Sequence, residues 1–550
     1  MLLVVAWDGA SLDTLEPLVE AGELPRLASL IRGGAVREVE STWPAVTFPA
    51  WTTFLTAADP DLHGVTDFTI RDGYSVRFVG AGERHLPTIF RRMSQAGARV
   101  GLYAVPATYP PESLNGIQVC GFDTPLGAVG GPRSTQPRSL YGELSRRYGG
   151  LGNAGPSQMR IEAGWHEQAL ETMLGEIALR TRIVCDLIRE QRFDCFMVHY
   201  GESDTVSHQF RQFCDPQSPR YRNDGPASAM RDVYRAMDAG LAALIDAAGT
   251  DTTVMVVSDH GSMGASDQAV FLNTWLAARG YLSFSGQRLH TGALGWLRRS
   301  ALRMVPERWA PWLFSRLQPA VGRVESAARF GGIDWSATRV FSEELNYFPA
   351  LWINRKGREP CGVVGDAEVG DLIEALREDL AEFRHPVSGD RVVVAVRARE
   401  ELYAGRFARR VPDLVLELAE PGGYAYSCGS SRGGREREVL RQLSGAEMTG
   451  ARGTSMAGAH SRMGMSILHG PGIRCGRFGD GCLADAGATV LALQGLAASA
   501  GANGRPWYDL LEELAGGLSE VEVDTDEGPA YSKEEEREVA ERLRALGYLD

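Results

Sequence analysis

The chain opens with Leu2-Leu-Val-Val-Ala-Trp7, closed at once by Asp8-Gly9. A short apolar run without alternation predicts a strand buried on both faces, as in a parallel sheet. Residues 99–105, 194–200 and 252–258 repeat the pattern; residues 36–42 make a second early strand and residues 463–468 a late one. Helical spacing fills the intervals. Residues 24–31 form one helix, ended by Gly33-Gly34. Residues 48–56 form another, with Thr47 just before it and Pro49 in its first turn, where proline is tolerated. Residues 169–190 and 230–247 are longer helices. Buried strands alternating with helices predict an α/β fold, a sheet with helices on both faces.

Working outward, the 550 residues divide by character. Residues 1–270 carry the first part of the core. Residues 271–450, where Trp275, Trp296, Trp309, Trp312 and Trp335 crowd among arginines and glycines, read as an inserted subdomain that covers the active edge of the sheet. Residues 451–510 return to the core, and 511–550 hold an acidic linker followed by a terminal helix. That helix has a capping box from Ser532 to Glu535 and a stripe of Val539, Leu543 and Leu546 before Gly547.

Composition narrows the chemistry. With 57 basic and 70 acidic residues the net charge is −13, which speaks against nucleic acid as partner. An anionic small molecule is still admissible where a metal supplies the positive charge. Lys356 and Lys533 are the only lysines and neither lies in a G-x-x-x-x-G-K-[ST] loop, so a P-loop nucleotidase is excluded. The eight cysteines form no C-x-x-C, and they read as reduced thiols rather than a zinc site. The apolar start lacks a basic n-region and ends on an acid, so no secretory signal is expected. No apolar stretch approaches the ~18 residues of a membrane span. The expectation is a cytoplasmic protein with no membrane partner; oligomeric state is not legible.

Six residues stand at the edges of predicted core strands. Asp8 ends the first strand. Asp204 and His208 follow the 194–200 strand at a spacing that puts both on one face of a helix. Asp259-His260 follows the 252–258 strand, and His460 sits in a Gly-rich loop before the 463–468 strand. Four of the six follow a carboxyl end, where ligands bind in open α/β sheets. Three aspartates and three neutral imidazoles give mixed O/N coordination, suited to zinc or manganese. Six ligands suit two adjacent divalent ions. Thr47 then supplies a nucleophile, its hydroxyl at a helix N-terminus near unpaired N–H groups. A metal on that oxygen would lower its pKa, so no His or Lys base is required.

As an ordered set, Val4-Val-Ala-Trp-Asp8-Gly9, Thr47-Phe-Pro-Ala-Trp51, His63-Gly64, Asp204-x-x-x-His208, Ser258-Asp-His-Gly261 and His460 resemble the alkaline phosphatase superfamily. The resemblance is to its type I phosphodiesterase/nucleotide pyrophosphatase branch and, within that, to bacterial predicted phosphohydrolases and phosphomutases. Ile333-Asp-Trp-Ser-Ala-Thr338, Ile353-Asn354 and Pro412-Asp-Leu414 look like later family segments. The resemblance implies an alkaline phosphatase-like, mostly parallel sheet. It implies one metal on Asp8, Thr47, Asp259 and His260, and a second on Asp204, His208 and His460. It also implies a phospho-threonine intermediate on Thr47, with the Phe48 N–H holding a phosphoryl oxygen. Nucleotide pyrophosphatases carry an asparagine about twenty residues after the threonine; here that place is Phe68. Thr47-x-Pro49-x-Trp51 lacks the Cys or Ser and the arginine of a sulfatase. The expected activity is two-metal hydrolysis of a soluble phosphate ester or nucleotide-like molecule, a diester first. A phosphomonoesterase, a phosphomutase and a phosphonate hydrolase are alternatives, and a dead metal-binding protein is the alternative of another class.

Other features read as structural. His63, His85, His166, His199, His290, His385 and His469 are expected to be packed or exposed. Gly150-Leu-Gly152-Asn-Ala-Gly155 fits G-x-G-x-x-G, but a helix precedes it and Pro156 follows. Gly429-Ser-Ser431-Arg-Gly433 fits G-x-S-x-G without an apolar strand leading in. Loops 106–111 and 121–125 are expected to shape specificity together with the insertion.

Overall fold

In the computed structural model the described residues are 1–124, 131–156, 161, 163–285, 326, 329–450, 453–512, 517–521, 523, 532, 535–536, 538–540 and 542. Pro125, His290, Trp296, Trp309, Trp312, Leu543 and Leu546, and most of the acidic linker, lie outside them.

The core strands, in chain order, are β1 (Leu2–Trp7), β2 (Ala35–Glu40), β3 (Val100–Val105), β4 (Gly116–Cys120), β5 (Cys195–Tyr200) and β6 (Thr253–Val257). After β6 come β7 (Gly261–Val270), β8 (Val340–Phe341), β9 (Ala350–Ile353), β10 (Val393–Ala398), β11 (Leu414–Leu418) and β12 (Tyr424–Cys428). The last are β13 (Leu440–Gln442), β14 (Gly458–Ser461) and β15 (Met463–His469). The main sheet runs β2-β15-β6-β1-β5-β3-β4, with short strands added at both edges. β1 lies at its centre, parallel to β5 on one side and β6 on the other. The expected mostly parallel α/β sheet is therefore present. β15 is antiparallel to both β2 and β6, and the short edge strand Thr135–Gln136 is antiparallel to β4.

Burial explains the unbroken apolar runs. All six residues of β1 are buried. Leu3, Val5 and Trp7 face a layer that includes α1 (Pro25–Gly33), α3 (Trp165–Glu190) and α5 (Ala229–Ala248). Leu2, Val4 and Ala6 face the opposite layer, which includes α2 (Thr47–Thr56) and α6 (Leu483–Ala492). A strand between two helical layers has no solvent face, so its sequence has no polar face either.

β7 leaves β6 and pairs with β12, β13 and β14 in a second sheet. β8, β9, β11 and β10 form a third, antiparallel sheet. Its own apolar cluster includes Trp275, Leu351 and Leu414. Trp275 is core, and Trp335 stacks on Tyr74 with ring centroids 3.7 Å apart. Val539 packs with Phe48 and Phe68, and the Ser532–Glu535 capping bonds are present. No described helix is long and apolar enough to cross a membrane. The eight cysteines form no disulfide with one another.

Candidate active site

Because β5, β1 and β6 are adjacent and parallel, their carboxyl ends emerge side by side, and the turns that follow are stitched together. The Gly9 N–H donates to Asp259 Oδ1 (3.2 Å) and the Ala10 N–H to Ser258 Oγ (2.9 Å). The Ser203 hydroxyl donates to the Asp8 carbonyl at 2.6 Å. Gly9 has φ +65°, and a Cβ there would lie 3.1 Å from Asp204 Oδ1. Only glycine permits both the turn and the approach.

α4 (Glu202–Cys214) starts directly after β5 and carries Asp204 and His208 one turn apart on the same face. Arg180 from α3 forks onto Glu202 at the start of α4, at 2.7 and 2.9 Å, and anchors that helix end. His460 arrives on β14, paired with β7 in the register Ser262↔His460. The sequence expectation of a loop there is corrected. Gly458 lets the strand slide against α4, for a Cβ would fall 2.5 Å from the Ser207 carbonyl oxygen.

Thr47 is the first residue of α2 rather than the residue before it. Val46 is extended (φ −132°, ψ 135°) and its carbonyl accepts from Ala50. The cap thus falls on Val46, and Thr47 is fully buried with Oγ1 3.3 Å from His260 Nε2. Phe48 follows in the first turn, where its N–H has no intrahelical partner.

The tautomers define what the cluster can bind. Each imidazole spends Nδ1 on a backbone carbonyl: His208 on Gly458 (2.9 Å), His260 on Gly261 (3.0 Å) and His460 on Ala45 (2.7 Å). In the neutral rings every Nε2 therefore carries a lone pair. His208 and His460 Nε2 face each other at 2.9 Å, with Asp204 Oδ1 at 3.1 and 3.4 Å. His260 Nε2 faces Asp259 Oδ2 at 3.3 Å and Asp8 Oδ1 at 3.6 Å. Acceptors converging in this way make a donor set for a cation. The Asp/His groups Asp204-His208-His460 and Asp8-Asp204-His260 each bring their ligand atoms within 4.8 Å of one another. The residues present thus fit a metal of mixed O/N preference.

Electrostatics agree at His260 but not at His208, where burial is outweighed by the charge of Asp204 and the pKa is raised. Burial, with His460 beside it, pulls His260 down to about 4 and keeps it neutral. Burial and the charge of Asp8 push Asp259 up. Burial opposes the charge of Asp204, yet His208 and His460 hold it well below the carboxylate range.

Beside Asp204, His208 and His460 opens a cavity of about 480 Å³. Its lining includes the aromatic Trp43, Phe68, Tyr347 and Tyr426 and the cationic Arg329 and Arg462, the last lying over the Trp43 ring at 3.6 Å. Tyr347 and Tyr426 come from the 271–450 stretch. Phe68 is buried against Phe48 (centroids 5.4 Å apart) and edge-on to Tyr347 (6.0 Å).

A model of the family described as type I phosphodiesterase/nucleotide pyrophosphatase matches residues 2–453. The chain belongs to that family. It is a hydrolytic enzyme, a phosphoesterase of a metal-dependent superfamily. The match includes Asp8, Thr47, Asp204, His208, Asp259 and His260 and stops short of His460. No curated protein matches the chain. Among solved structures it is similar to murine ectonucleotide pyrophosphatase/phosphodiesterase 5, at 14% identity and TM-score 0.48 over 93% of this chain and 99% of that one. It is also similar to phosphonoacetate hydrolase from Sinorhizobium meliloti 1021, at 17% identity and TM-score 0.49 over 88% of this chain and 94% of that one.

Residues set aside by sequence fall into two groups. His63 is structural: its Nδ1 accepts from the Val65 N–H (3.1 Å) and its Nε2 bonds Thr53 (3.0 Å). Ser431 is buried in bonds to Thr274 and Glu344, so the G-x-S-x-G match is a helix-capping loop. His199, expected to be packed or exposed, is packed edge-on against Trp51 and also touches Asp8 Oδ2 at 2.8 Å. The sequence carries no signal for this, because His199 lies inside an apolar strand.

Proposed function

We propose that the chain hydrolyses a bulky phosphate diester or pyrophosphate linkage of a soluble metabolite, with two divalent ions and Thr47 as nucleophile. The observation that carries the reading is the convergence of three imidazole Nε2 atoms and three carboxylates beside the buried Thr47 hydroxyl. Asp8, Thr47, Asp259 and His260 would hold one ion and Asp204, His208 and His460 the other; the donor set suits zinc, then manganese. When bound, such ions lower the pKa of a ligated hydroxyl and neutralise charge on the phosphoryl and leaving oxygens.

Thr47 Oγ1 attacks phosphorus in line, forming a phospho-threonine as the P–O bond to the leaving alcohol or phosphate breaks, and the hydroxyl proton passes through solvent to the leaving oxygen. Water then cleaves the phospho-threonine from the opposite face. Because Thr47 opens α2, the Phe48 N–H is available for one phosphoryl oxygen. Phe68 offers no hydrogen bond, so that oxygen has one donor fewer than an asparagine would give. The same ring adds apolar wall. With Trp43, Tyr347 and Tyr426 it suits the second substituent of a diester. On this reading the 271–450 stretch is the cap that completes the substrate pocket.

The test is kcat/KM for bis-p-nitrophenyl phosphate against p-nitrophenyl phosphate, which share a leaving group. The diester should be the better substrate. A monoester preference of about a hundredfold, ~2.7 kcal/mol of transition-state binding, would replace the diesterase with a phosphatase or mutase.

A further inference from the structure

Asp8 is held from behind. Its Oδ2 lies 2.8 Å from His199 Nε2 and 3.0 Å from Trp51 Nε1. An indole N–H only donates, and an imidazole facing a carboxylate donates from the nitrogen that faces it. Oδ2 thus receives two donors, which occupy both of its lone pairs, while Oδ1 points at His260 Nε2 (3.6 Å). Asp8, Trp51 and His199 are 1%, 0% and 3% exposed, so water cannot substitute for a lost donor.

The donors are themselves fixed. Trp51 is one helical turn after Thr47 on α2, and its ring meets the His199 ring edge-on at 5.4 Å. His199 sits on β5, in register with Ala6 two residues before Asp8. Its carbonyl accepts from Arg180 Nη1 (3.0 Å), the same guanidinium that grips Glu202. The ring therefore ties the carboxylate after β1 to the strand end that starts α4.

We propose that His199 is a positioning residue for metal binding: its Nε2–H fixes Asp8 so that a single oxygen, Oδ1, is offered to a cation. The inference rests on the metal-dependent reading above. Without the donor, Asp8 is free to rotate or to offer both oxygens, and the geometry shared with Thr47, Asp259 and His260 is lost. Outer hydrogen bonds of this kind are worth about 10- to 100-fold in metal affinity.

The experiment titrates the metal-free full chain with zinc against a chromophoric chelator, for wild type, His199→Phe and His199→Gln, alongside thermal melts. Phenylalanine keeps an aromatic ring against Trp51 and removes the donor. Glutamine puts an N–H near the position of Nε2. The expected result is one zinc site weakened about 10- to 100-fold in His199→Phe and largely restored in His199→Gln, with the other site little changed. Equal zinc affinity in His199→Phe and wild type would overturn the inference, and so would equal weakening in both variants, which marks a role in packing. Independently of any variant, ¹⁵N-histidine NMR of the wild type must show a proton on His199 Nε2; a bare Nε2 overturns the inference. Wild type that binds no zinc would instead remove the metal-dependent reading on which the inference stands.

Discussion

Replacing Thr47 by alanine isolates the proposed nucleophile from the rest of the site. The side chain is fully buried at the first position of α2, and the polar contact of its Oγ1 is with His260 Nε2 at 3.3 Å. Alanine keeps the β-carbon, favours helix and leaves the cap on Val46, so the fold should lose only about 1 kcal/mol. The rate should fall far more. A well-oriented intramolecular nucleophile reaches an effective molarity of at least about 10⁵ M, some three orders of magnitude above the concentration of liquid water. A loss of about 10³-fold or more in kcat, ~4 kcal/mol, is therefore expected. The assay is steady-state turnover of bis-p-nitrophenyl phosphate by metal-loaded protein, with metal content and melting temperature measured on the same sample. Thr47→Ser should retain partial activity, because the oxygen stays while the methyl that restricts its rotamer goes. Near-wild-type turnover by Thr47→Ala with metals bound would refute the reasoning and mean direct attack by water.

Two further outcomes are expected. His460→Ala should lower metal content from about two equivalents per chain to about one, since it strips the Asp204-His208 group and leaves the Asp8 group complete; loss of both ions, or of neither, would contradict two separate groups. His63 should make stability fall in acid. Burial, reinforced by Arg84, holds its pKa well below the usual 6.5, and a protonated ring could not accept the Val65 N–H. The folded pKa is depressed, so the stabilisation is present above about 6.5 and is lost as pH falls, at up to about 1.4 kcal/mol per pH unit. His63→Asn keeps an acceptor two residues before Val65, so its melting temperature should depend less on pH between about 7.5 and about 5; an unchanged slope would exclude His63 as the source.

What could be read from sequence was what parallel sheets write locally. A strand buried on both faces is apolar throughout, so β1, β5 and β6 announced themselves, and the acids that stop them were marked as the site. Asp204 and His208 were joined by helical spacing alone. What escaped depends on partners far along the chain. His199 looks like any packed residue until β1 is laid beside β5 and Asp8 falls against its ring. The strand character of His460 comes from pairing with β7, almost two hundred residues earlier, and a Gly-rich stretch has no propensity to reveal it. The cavity wall joins Trp43, Phe68, Tyr347 and Tyr426 from four separated segments, which no window along the sequence brings together.

The antiparallel strand β15 also governs the order in which the molecule can be made. It fills the slot between β2 and β6 and is flanked by them on both sides, yet it is synthesised more than two hundred residues after β6 and more than four hundred after β2. A nascent chain that has reached residue 450 therefore has its central sheet split, with two unpaired strand edges and no His460. Long-range pairing of this kind is slow, and open edges invite aggregation while they last. The strand that closes the gap starts three residues after His460, so closure of the sheet also brings in the last histidine of the proposed metal cluster. On the proposed reading, a chain that ends before β15 lacks both the closed sheet and the complete ligand set.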